Sequence, residues 1–228
     1  MAWAGAALFA ASLLYFLFSY VVTFGEITSG PVHLAAVATN VTLFSVFALH
    51  HSLFARERVR AWMARTVPAA LERSVYVWVA SLMLVAVCLL WQPVAGVAWQ
   101  VTGPAVWLLY VVQIAGGWLT LRSATAIDVW DLAGVRQTQG RPEGRPESMA
   151  FKTDGPYGWV RHPIYLGWFL LVLPVATMTM TRLLFAVVSC AYLVLAIPLE
   201  ERSLRRTAGA AYDDYMRKVR WKLLPYLH

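Results

Sequence analysis

The feature that most constrains this chain is a series of long windows that contain no Asp, Glu, Lys or Arg. A helix needs about 20 apolar residues to cross the hydrocarbon core of a bilayer, and 60% of the 228 residues here are hydrophobic. We therefore predict an all-α polytopic integral membrane protein with about six membrane helices. Their windows are residues 4–25, 33–55, 74–91, 97–121, 164–181 and 183–199.

The last two windows are short and contain proline. Pro174 lies inside the fifth window, Pro198 lies near the end of the sixth, and Arg182 alone separates the two. This pattern predicts a C-terminal helical hairpin that need not cross the bilayer fully. The first window lacks a basic leading segment and is too long and too aromatic for a cleaved signal peptide, so we expect it to remain as the first helix.

Positive charge alternates along the chain. Of the 19 Lys and Arg, five lie in residues 56–73, six in residues 122–161 and seven in residues 202–222, which leaves only Arg182 elsewhere. The positive-inside rule assigns these three segments to the cytoplasm. We therefore expect both termini to be cytoplasmic and the chain to lie in the cell membrane. Anionic lipid headgroups account for the net charge of +7, so membrane lipids, and no nucleic acid, are the expected partners.

The polar segments are too short to fold alone, so we predict one membrane domain over residues 1–228. It comprises four transmembrane helices (1–121), a cytoplasmic loop (122–163), the hairpin (164–199) and a cytoplasmic C-terminal segment (200–228). The repeat GRPEGRPE at residues 140–147 is rich in Pro and Gly, which predicts a mobile linker or a lid.

The stretch GPYGWVRHPIYLGW, residues 155–168, precedes the fifth window. Pro163 favours the first turn of a helix and disfavours a helical His162, so we expect His162 near the N-cap. The free backbone N–H groups of a helix start, with Arg161 beside them, suit an anionic group. The alternative is membrane anchoring, with the aromatic residues as an interfacial belt and Arg161 following the positive-inside rule.

Two adjacent carboxylates, Glu200 and Glu201, stand at the predicted exit of the sixth helix. Carboxylates at the hydrocarbon edge are costly unless a cation meets them; Arg161, Arg202, Arg205 or a cationic ligand could do so. If the last two helices form a hairpin, Arg161 and Glu200–Glu201 lie side by side. One edge would then offer both an anion site and a cation site.

His50 and His51 lie near the cytoplasmic end of the second window. A histidine inside a membrane helix usually faces the bundle interior, but two neighbouring positions cannot face one partner. We favour His51 as a substrate-side residue or general base. No third ligand accompanies the pair, so no metal site is expected.

The composite of GPYGWVRHPIYLGW, EER at 200–202 and G-x-x-Y-x-x-Y at 209–215 resembles the isoprenylcysteine carboxyl methyltransferase superfamily. Further segments are similar to its methanethiol S-methyltransferase branch, so the resemblance covers most of the chain. These are HHSLFAR (50–56), VPAALERSVYVWVASLMLV (67–85), WQP (91–93), DLAGVRQ (131–137) and residues 178–202. The short loop between the first two helices and GRPEGRPE depart from the family pattern.

The resemblance implies an S-adenosylmethionine-dependent enzyme and carries over a set of cofactor-binding positions. Glu200 or Glu201 would hold the ammonium group of the cofactor, while Tyr212 and Tyr215 would close the pocket. Arg161 and Glu201 would form a polar pair that faces the substrate. The residues that would line the cofactor are Tyr157, His162, Pro163, Tyr165, Leu166 and Gly167.

The acceptor that the branch resemblance implies is a small or lipophilic thiol. Methyl transfer is an in-line displacement that depends on positioning, and Arg161 could lower the pKa of a thiol so that the thiolate attacks. The carboxylate of an isoprenylcysteine or a related lipid acid is the first alternative, and a lipid amine follows it. A non-catalytic membrane protein that retains the cofactor fold, or a quinone- or haem-handling component, is the alternative outside enzymes of this kind.

Overall fold

The structure, a computed structural model, describes residues 2–54, 59, 65, 68–127 and 155–224. These residues form eight α-helices, a 3-10 turn at Thr23–Gly25 and two short strands. The helices are α1 (Ala2–Val21), α2 (Leu34–Phe54), α3 (Ala69–Leu90), α4 (Ala105–Ile127), α5 (Pro156–Trp159), α6 (Pro163–Val172), α7 (Met180–Ala208) and α8 (Ala210–Lys218), and the strands are β1 (Val97–Gln100) and β2 (Thr177–Thr179).

Within the described residues, five helices are long and apolar enough to cross a membrane: α1, α2, α3, α4 and α7. The prediction of an all-α, multi-pass membrane protein is confirmed. Five of the six predicted windows correspond to these helices, and the fifth window forms the 10-residue helix α6. At 1.5 Å per residue such a helix covers about 15 Å, which is half of the hydrocarbon core.

Helix α7 continues well beyond its predicted end at residue 199. It runs for 29 residues through Pro198 and ends before Gly209, whose φ of 52° lies in the left-handed region that favours glycine. A helix of this length extends for about 44 Å and is therefore longer than the bilayer core. The Glu200–Glu201 pair thus stands on a helical extension. The 140–147 repeat lies outside the described residues.

The described residues divide into two compact units: residues 2–100 with 177–188, and residues 101–127 with 155–176 and 189–224. In the first unit α3 packs on both α1 and α2, and β1 pairs antiparallel with β2. An aromatic cluster centred on the fully buried Phe185 fills its interior. Phe185 contacts Phe16, Tyr20, Phe24, Phe44 and Trp91 at ring-centroid distances of 5.2–5.8 Å.

Arg182 ties the end of α1 into the first unit. Its Nε donates to the carbonyl oxygen of Tyr20 at 2.9 Å, and its Nη2 donates to that of Val21 at 2.5 Å. Its Nη1 donates to the carbonyl oxygen of Thr177 at 2.6 Å. Carbonyl groups at a helix C-terminus have no partner inside the helix, so the guanidinium caps α1. This accounts for a basic residue outside the three predicted cytoplasmic segments.

In the second unit α4 packs along α6. Helix α8 packs on the extension of α7 through Tyr212, Tyr215 and Val219, which contact Leu204 and Ala208. Gly209 separates these two helices, and α8 begins at Ala210.

Candidate functional site

The sequence between residues 155 and 163 builds a tight entrance to α6. Gly155 adopts φ 62° and is followed by Pro156 at the start of the four-residue helix α5. The chain then turns extended at Val160, and Pro163 begins α6 with His162 as its N-cap. The predicted helix start at Pro163 is therefore confirmed. The turn places Arg161 and His162 next to each other at the head of α6.

Arg161 and Glu201 form a buried ion pair. Arg161 Nε lies 2.8 Å from Glu201 Oε1, and the two side chains are only 7% and 13% exposed. The same guanidinium donates from Nη1 to the carbonyl oxygens of Val219 at 2.9 Å and Arg220 at 2.7 Å. A buried charge is tolerated when it is paired and its hydrogen bonds are satisfied. The predicted meeting of the RHP entrance with the EER segment is confirmed by this contact.

His162 lies between the two glutamates. Its Nδ1 is 3.6 Å from Glu200 Oε2, and its Nε2 is 3.4 Å from Glu201 Oε1. The ring stacks on Tyr165 with a centroid distance of 5.3 Å, and the Tyr165 hydroxyl donates to Glu200 Oε2 at 2.7 Å. Glu200 itself is 46% exposed, whereas His162 is 5% exposed. One face of this cluster therefore presents an accessible carboxylate, which the Tyr165 hydroxyl and the buried His162 ring hold in place.

The segment after α8 returns to the entrance and pairs with it. The backbone N–H groups of Arg161 and His162 donate to the carbonyl oxygens of Trp221 at 2.8 Å and Lys222 at 2.9 Å. The Tyr215 hydroxyl donates to the carbonyl oxygen of Tyr157 at 2.9 Å. Sequence reasoning placed the tyrosines of α8 near the site but missed this backbone pairing, for which residues 219–222 carry no signal.

Burial further favours the protonated form of the two phenols of α8. Tyr212 and Tyr215 are 1% and 4% exposed. Burial raises the pKa of Tyr215 to about 12 and raises the pKa of Tyr212 as well, because it disfavours the charged phenolate. The protonated Tyr215 hydroxyl can thus make the hydrogen bond to Tyr157 described above.

Three other predicted cofactor residues lie on α6. Pro163 is buried, and Leu166 lines an apolar groove of about 370 Å³ with Val112 and Leu224 among its walls. Gly167 faces α4, where a β-carbon on it would lie 2.8 Å from the carbonyl oxygen of Gly116. Close packing of α4 and α6 accounts for glycine at position 167 without a ligand. A cofactor role for these three residues remains a prediction.

His51 belongs to the first unit. It lies near the end of α2, and its Nδ1 is 2.8 Å from the hydroxyl of Tyr76 on α3. Tyr76 was missed by sequence reasoning; the signal that could have found it is its position just after the polar residues Glu72, Arg73 and Ser74, at the start of an apolar span. Among the described residues, no three His, Cys, Asp or Glu side chains are grouped to hold a metal ion.

Comparison with known proteins finds relatives that align with nearly the whole chain. The isoprenylcysteine carboxyl methyltransferase (ICMT) family matches residues 145–206. The chain is 38% identical to methanethiol S-methyltransferase 2 of Bradyrhizobium diazoefficiens over 93% of its own length and 84% of that protein. It is 37% identical to the methanethiol S-methyltransferase of Crocosphaera subtropica, over 84% of this chain and 76% of that one.

A more distant relative has a name that states no reaction. Nurim of Homo sapiens is 31% identical over 75% of this chain and 69% of that protein. No solved structure matches the chain.

Proposed function

The chain belongs to the isoprenylcysteine carboxyl methyltransferase superfamily, in the branch of the methanethiol S-methyltransferases, and from this we propose that it methylates a small or lipophilic thiol with S-adenosylmethionine as the donor. The observation that carries the proposal is the Arg161–Glu201 ion pair. It joins the entrance of α6 to the α7 extension in one polar cluster, beside the accessible Glu200 carboxylate.

The residues of this cluster fit a donor of that kind. S-adenosylmethionine supplies a methyl group on a positively charged sulfur, and it also carries an ammonium group. We propose that the half-exposed Glu200 carboxylate binds the ammonium group, since a charge-assisted hydrogen bond is the strong way to hold such a cation. The Tyr165 hydroxyl, 2.7 Å from Glu200 Oε2, would orient that carboxylate.

We assign Arg161 and Glu201 to positioning. The sequence suggested that Arg161 could pair with a thiolate. In the structure, however, the Nε and Nη1 atoms of Arg161 donate to Glu201, Val219 and Arg220 of the chain itself. In this role Arg161 fixes Glu201 and the returning C-terminal segment, and through them the walls of the donor site. Positioning is the main contribution to an in-line displacement.

The other residues predicted to bind the cofactor would form the walls of the donor site. We propose that the donor also contacts His162 and Tyr165 and that Tyr157, Tyr212 and Tyr215 enclose it. Support comes from the hydrogen bond between Tyr215 and the Tyr157 carbonyl, which joins α8 to α5. Pro163, Leu166 and Gly167 then shape the start of α6 beneath these side chains.

We further propose that the protein lies in the cell membrane with this site and both termini on the cytoplasmic side. The proposal is supported by the placement of 18 of the 19 Lys and Arg in alternate loops. S-adenosylmethionine is water-soluble, so a cytoplasmic site would receive it directly.

Two measurements, made one after the other, test the proposed function. S-adenosylhomocysteine, the product of the donor, should raise the melting temperature of the purified protein in detergent. Transfer of a labelled methyl group to a panel of alkyl thiols, prenylated cysteines and lipid amines should then favour the thiols. Binding without transfer to any acceptor would support the non-catalytic alternative, for which the similarity to Nurim is the specific observation. Transfer chiefly to prenylated cysteine would replace the thiol with a carboxylate acceptor.

A further inference from the structure

A second polar cluster lies within the first unit, where the end of α2 packs on the start of α3. Its centre is the ring of Tyr76 on α3. His50 stacks on that ring at a centroid distance of 5.9 Å and 12° between planes, and the guanidinium carbon of Arg73 lies 5.4 Å from the same centroid. His51 anchors the ring, since its Nδ1 is 2.8 Å from the Tyr76 hydroxyl oxygen. Arg73 and His50 are thus neighbours around one aromatic ring.

Arg73 and His50 each have a nitrogen atom with unused hydrogen-bonding capacity. Arg73 Nε and His50 Nδ1 are shielded from solvent, and neither has a hydrogen-bond partner among the residues that the structure describes. Buried polar atoms are normally paired, and the Nε of an arginine can only donate, so it requires an acceptor atom. Both side chains are half-buried and not enclosed. A ligand with acceptor oxygens can therefore reach them from the protein surface.

The charge of Arg73 is also unpaired within the described part of the chain, where no carboxylate forms an ion pair with it. Arginine is positively charged at all relevant pH values, and a charge at the edge of the hydrocarbon is costly unless an opposite charge meets it. Arg73 lies in the second turn of α3, near the end of a helix long enough to cross a membrane. Lipid headgroups, with their phosphate groups, lie at that depth of the bilayer.

The sequence around the cluster favours an anionic lipid over a zwitterionic one. Residues 56–73 contain five arginines and two glutamates, so this segment attracts negative charge. A zwitterionic lipid carries an ammonium group beside its phosphate, and a basic segment repels that group. Basic sites between membrane helices are a known mode of binding for the headgroups of anionic lipids.

We propose that Arg73 and His50 bind the phosphate group of an anionic membrane phospholipid at the end of α2 and the start of α3. Arg73 donates charge-assisted hydrogen bonds to the phosphate oxygens, and His50, which carries an N–H in either tautomer, donates another. Tyr76 holds both side chains in place. The bound lipid links α2 to α3 and stabilises the first unit. A role of His51 as a general base stays a separate prediction.

Thermal unfolding of the purified protein in a neutral detergent tests this site. Dioleoylphosphatidylglycerol should raise the melting temperature, because a ligand that binds only the folded protein stabilises it. Dioleoylphosphatidylcholine has the same chains but no net charge, and its affinity should be at least about tenfold lower. Native mass spectrometry of the same samples should show phosphatidylglycerol retained on the protein in preference to phosphatidylcholine.

Four variants locate the binding in this cluster. Arg73→Gln should lower the affinity for phosphatidylglycerol about tenfold or more. Arg73→Lys keeps the charge but lacks the planar fork that binds two oxygens, so its affinity should lie between those of wild type and Arg73→Gln. His50→Phe keeps the stack on Tyr76 without the ring nitrogen atoms and should lower the affinity about threefold or more. Arg122→Gln is the control, at an exposed arginine near the end of α4, and should bind as wild type.

Inorganic phosphate distinguishes the two sources of the phosphate group. At the concentration used for the lipid, it should leave the melting temperature of wild type unchanged. A rise that is lost in Arg73→Gln would support the phosphate site but replace the lipid with free phosphate as its ligand.

Equal affinities for the two lipids would overturn the site, because binding would then depend on the acyl chains alone. A loss in Arg122→Gln as large as that in Arg73→Gln would overturn it too, since the whole positive surface would then be responsible. Each variant is compared with its own lipid-free melting temperature, and Arg73→Lys and His50→Phe still decide the question if Arg73→Gln does not fold. Lipid binding requires no methyl transfer, so this site and the proposed function fail independently.

Discussion

Gly116 and Gly167 bring α4 and α6 into direct backbone contact. A β-carbon on Gly116 would lie 2.7 Å from the carbonyl oxygen of Gly167, and one on Gly167 would lie 2.8 Å from that of Gly116. Small residues permit such close approach of membrane helices. Since α6 begins at the Arg161–His162 entrance, this crossing fixes the direction in which the entrance is presented.

The neighbouring glycine provides a matched control for this contact. Gly116→Ala should destabilise the protein by about 1–3 kcal/mol, the usual cost of overpacking, whereas a β-carbon on Gly117 meets nothing within 4 Å. Gly117→Ala should therefore be neutral or slightly stabilising. Thermal unfolding in detergent measures both; equal melting temperatures for the two variants would contradict the close crossing.

The buried Arg161–Glu201 pair should be far more sensitive than an exposed ion pair. Lysine cannot reproduce the three hydrogen bonds of Arg161, so Arg161→Lys should lower kcat by more than about tenfold. Arg161→Ala leaves Glu201 without its cation and should abolish turnover and lower the melting temperature as well.

The control is Arg205, which pairs with Asp213 at 3.3 Å on the surface, with both side chains at least half exposed. Such pairs contribute less than about 1 kcal/mol. Arg205→Lys should therefore retain activity and stability in the same assays. Comparable kcat values for Arg161→Lys and Arg205→Lys would remove Arg161 from the positioning role.

Glu200 should control donor affinity. Glu200→Gln keeps the shape of the side chain but removes its charge, so the affinity for S-adenosylhomocysteine should fall about tenfold, since hydrogen bonds to charged groups are worth about 1.5–3 kcal/mol. Asp214→Asn removes an exposed carboxylate of α8 and should leave affinity unchanged. Isothermal titration on both variants is the measurement, and an unaltered affinity in Glu200→Gln would exclude Glu200 from the ammonium site.

Arg182 should be a major stability determinant of the first unit. Arg182→Gln loses most of the hydrogen bonds to the carbonyl groups of Tyr20, Val21 and Thr177, and we expect a loss of about 2–4 kcal/mol. Arg206 is exposed, and Arg206→Gln should be neutral. Chemical or thermal unfolding compares the two, and similar stabilities would show that the α1 cap is dispensable.

The proposed orientation can be tested by labelling single cysteines. In a background where Cys88 and Cys190 are replaced by serine, Ser29→Cys should react with an impermeant maleimide in intact cells. Lys218→Cys should react only after the membrane is opened. Both positions are exposed. The reverse pattern would place the Arg161–Glu201 cluster on the exterior side.

Spans and helix starts could be predicted from the sequence because their signals are local. Charge-free windows gave the five long helices, and the Pro163 signal gave the start of α6. The length of α7 could not be predicted from hydropathy. Hydropathy shows where a helix lies in an apolar environment, but it does not show where the backbone hydrogen bonds of that helix end. Glu200 and Glu201 were therefore placed at the exit of the sixth helix, although the helix continues beyond them to Ala208.

The contacts that complete the candidate site are distant in sequence and have no periodic signal. The pairing of residues 161–162 with 221–222 joins two backbones, and backbone groups carry no information about their partners. The hydrogen bond between His51 and Tyr76 links α2 to α3. Residue type predicted that a histidine here faces the bundle interior, but it could not identify Tyr76 as the partner of His51.

The backbone pairing of Arg161 and His162 with Trp221 and Lys222 also has a consequence for biosynthesis. Helices α1 to α4 end by residue 127, so they can leave the ribosome and enter the bilayer long before residues 221 and 222 are made. A chain that ends before residue 221 would insert these helices but would lack the pairing that completes the proposed site. Completion of that site is in this sense a late event in synthesis, and truncation before residue 221 should impair it without preventing these four helices from entering the membrane.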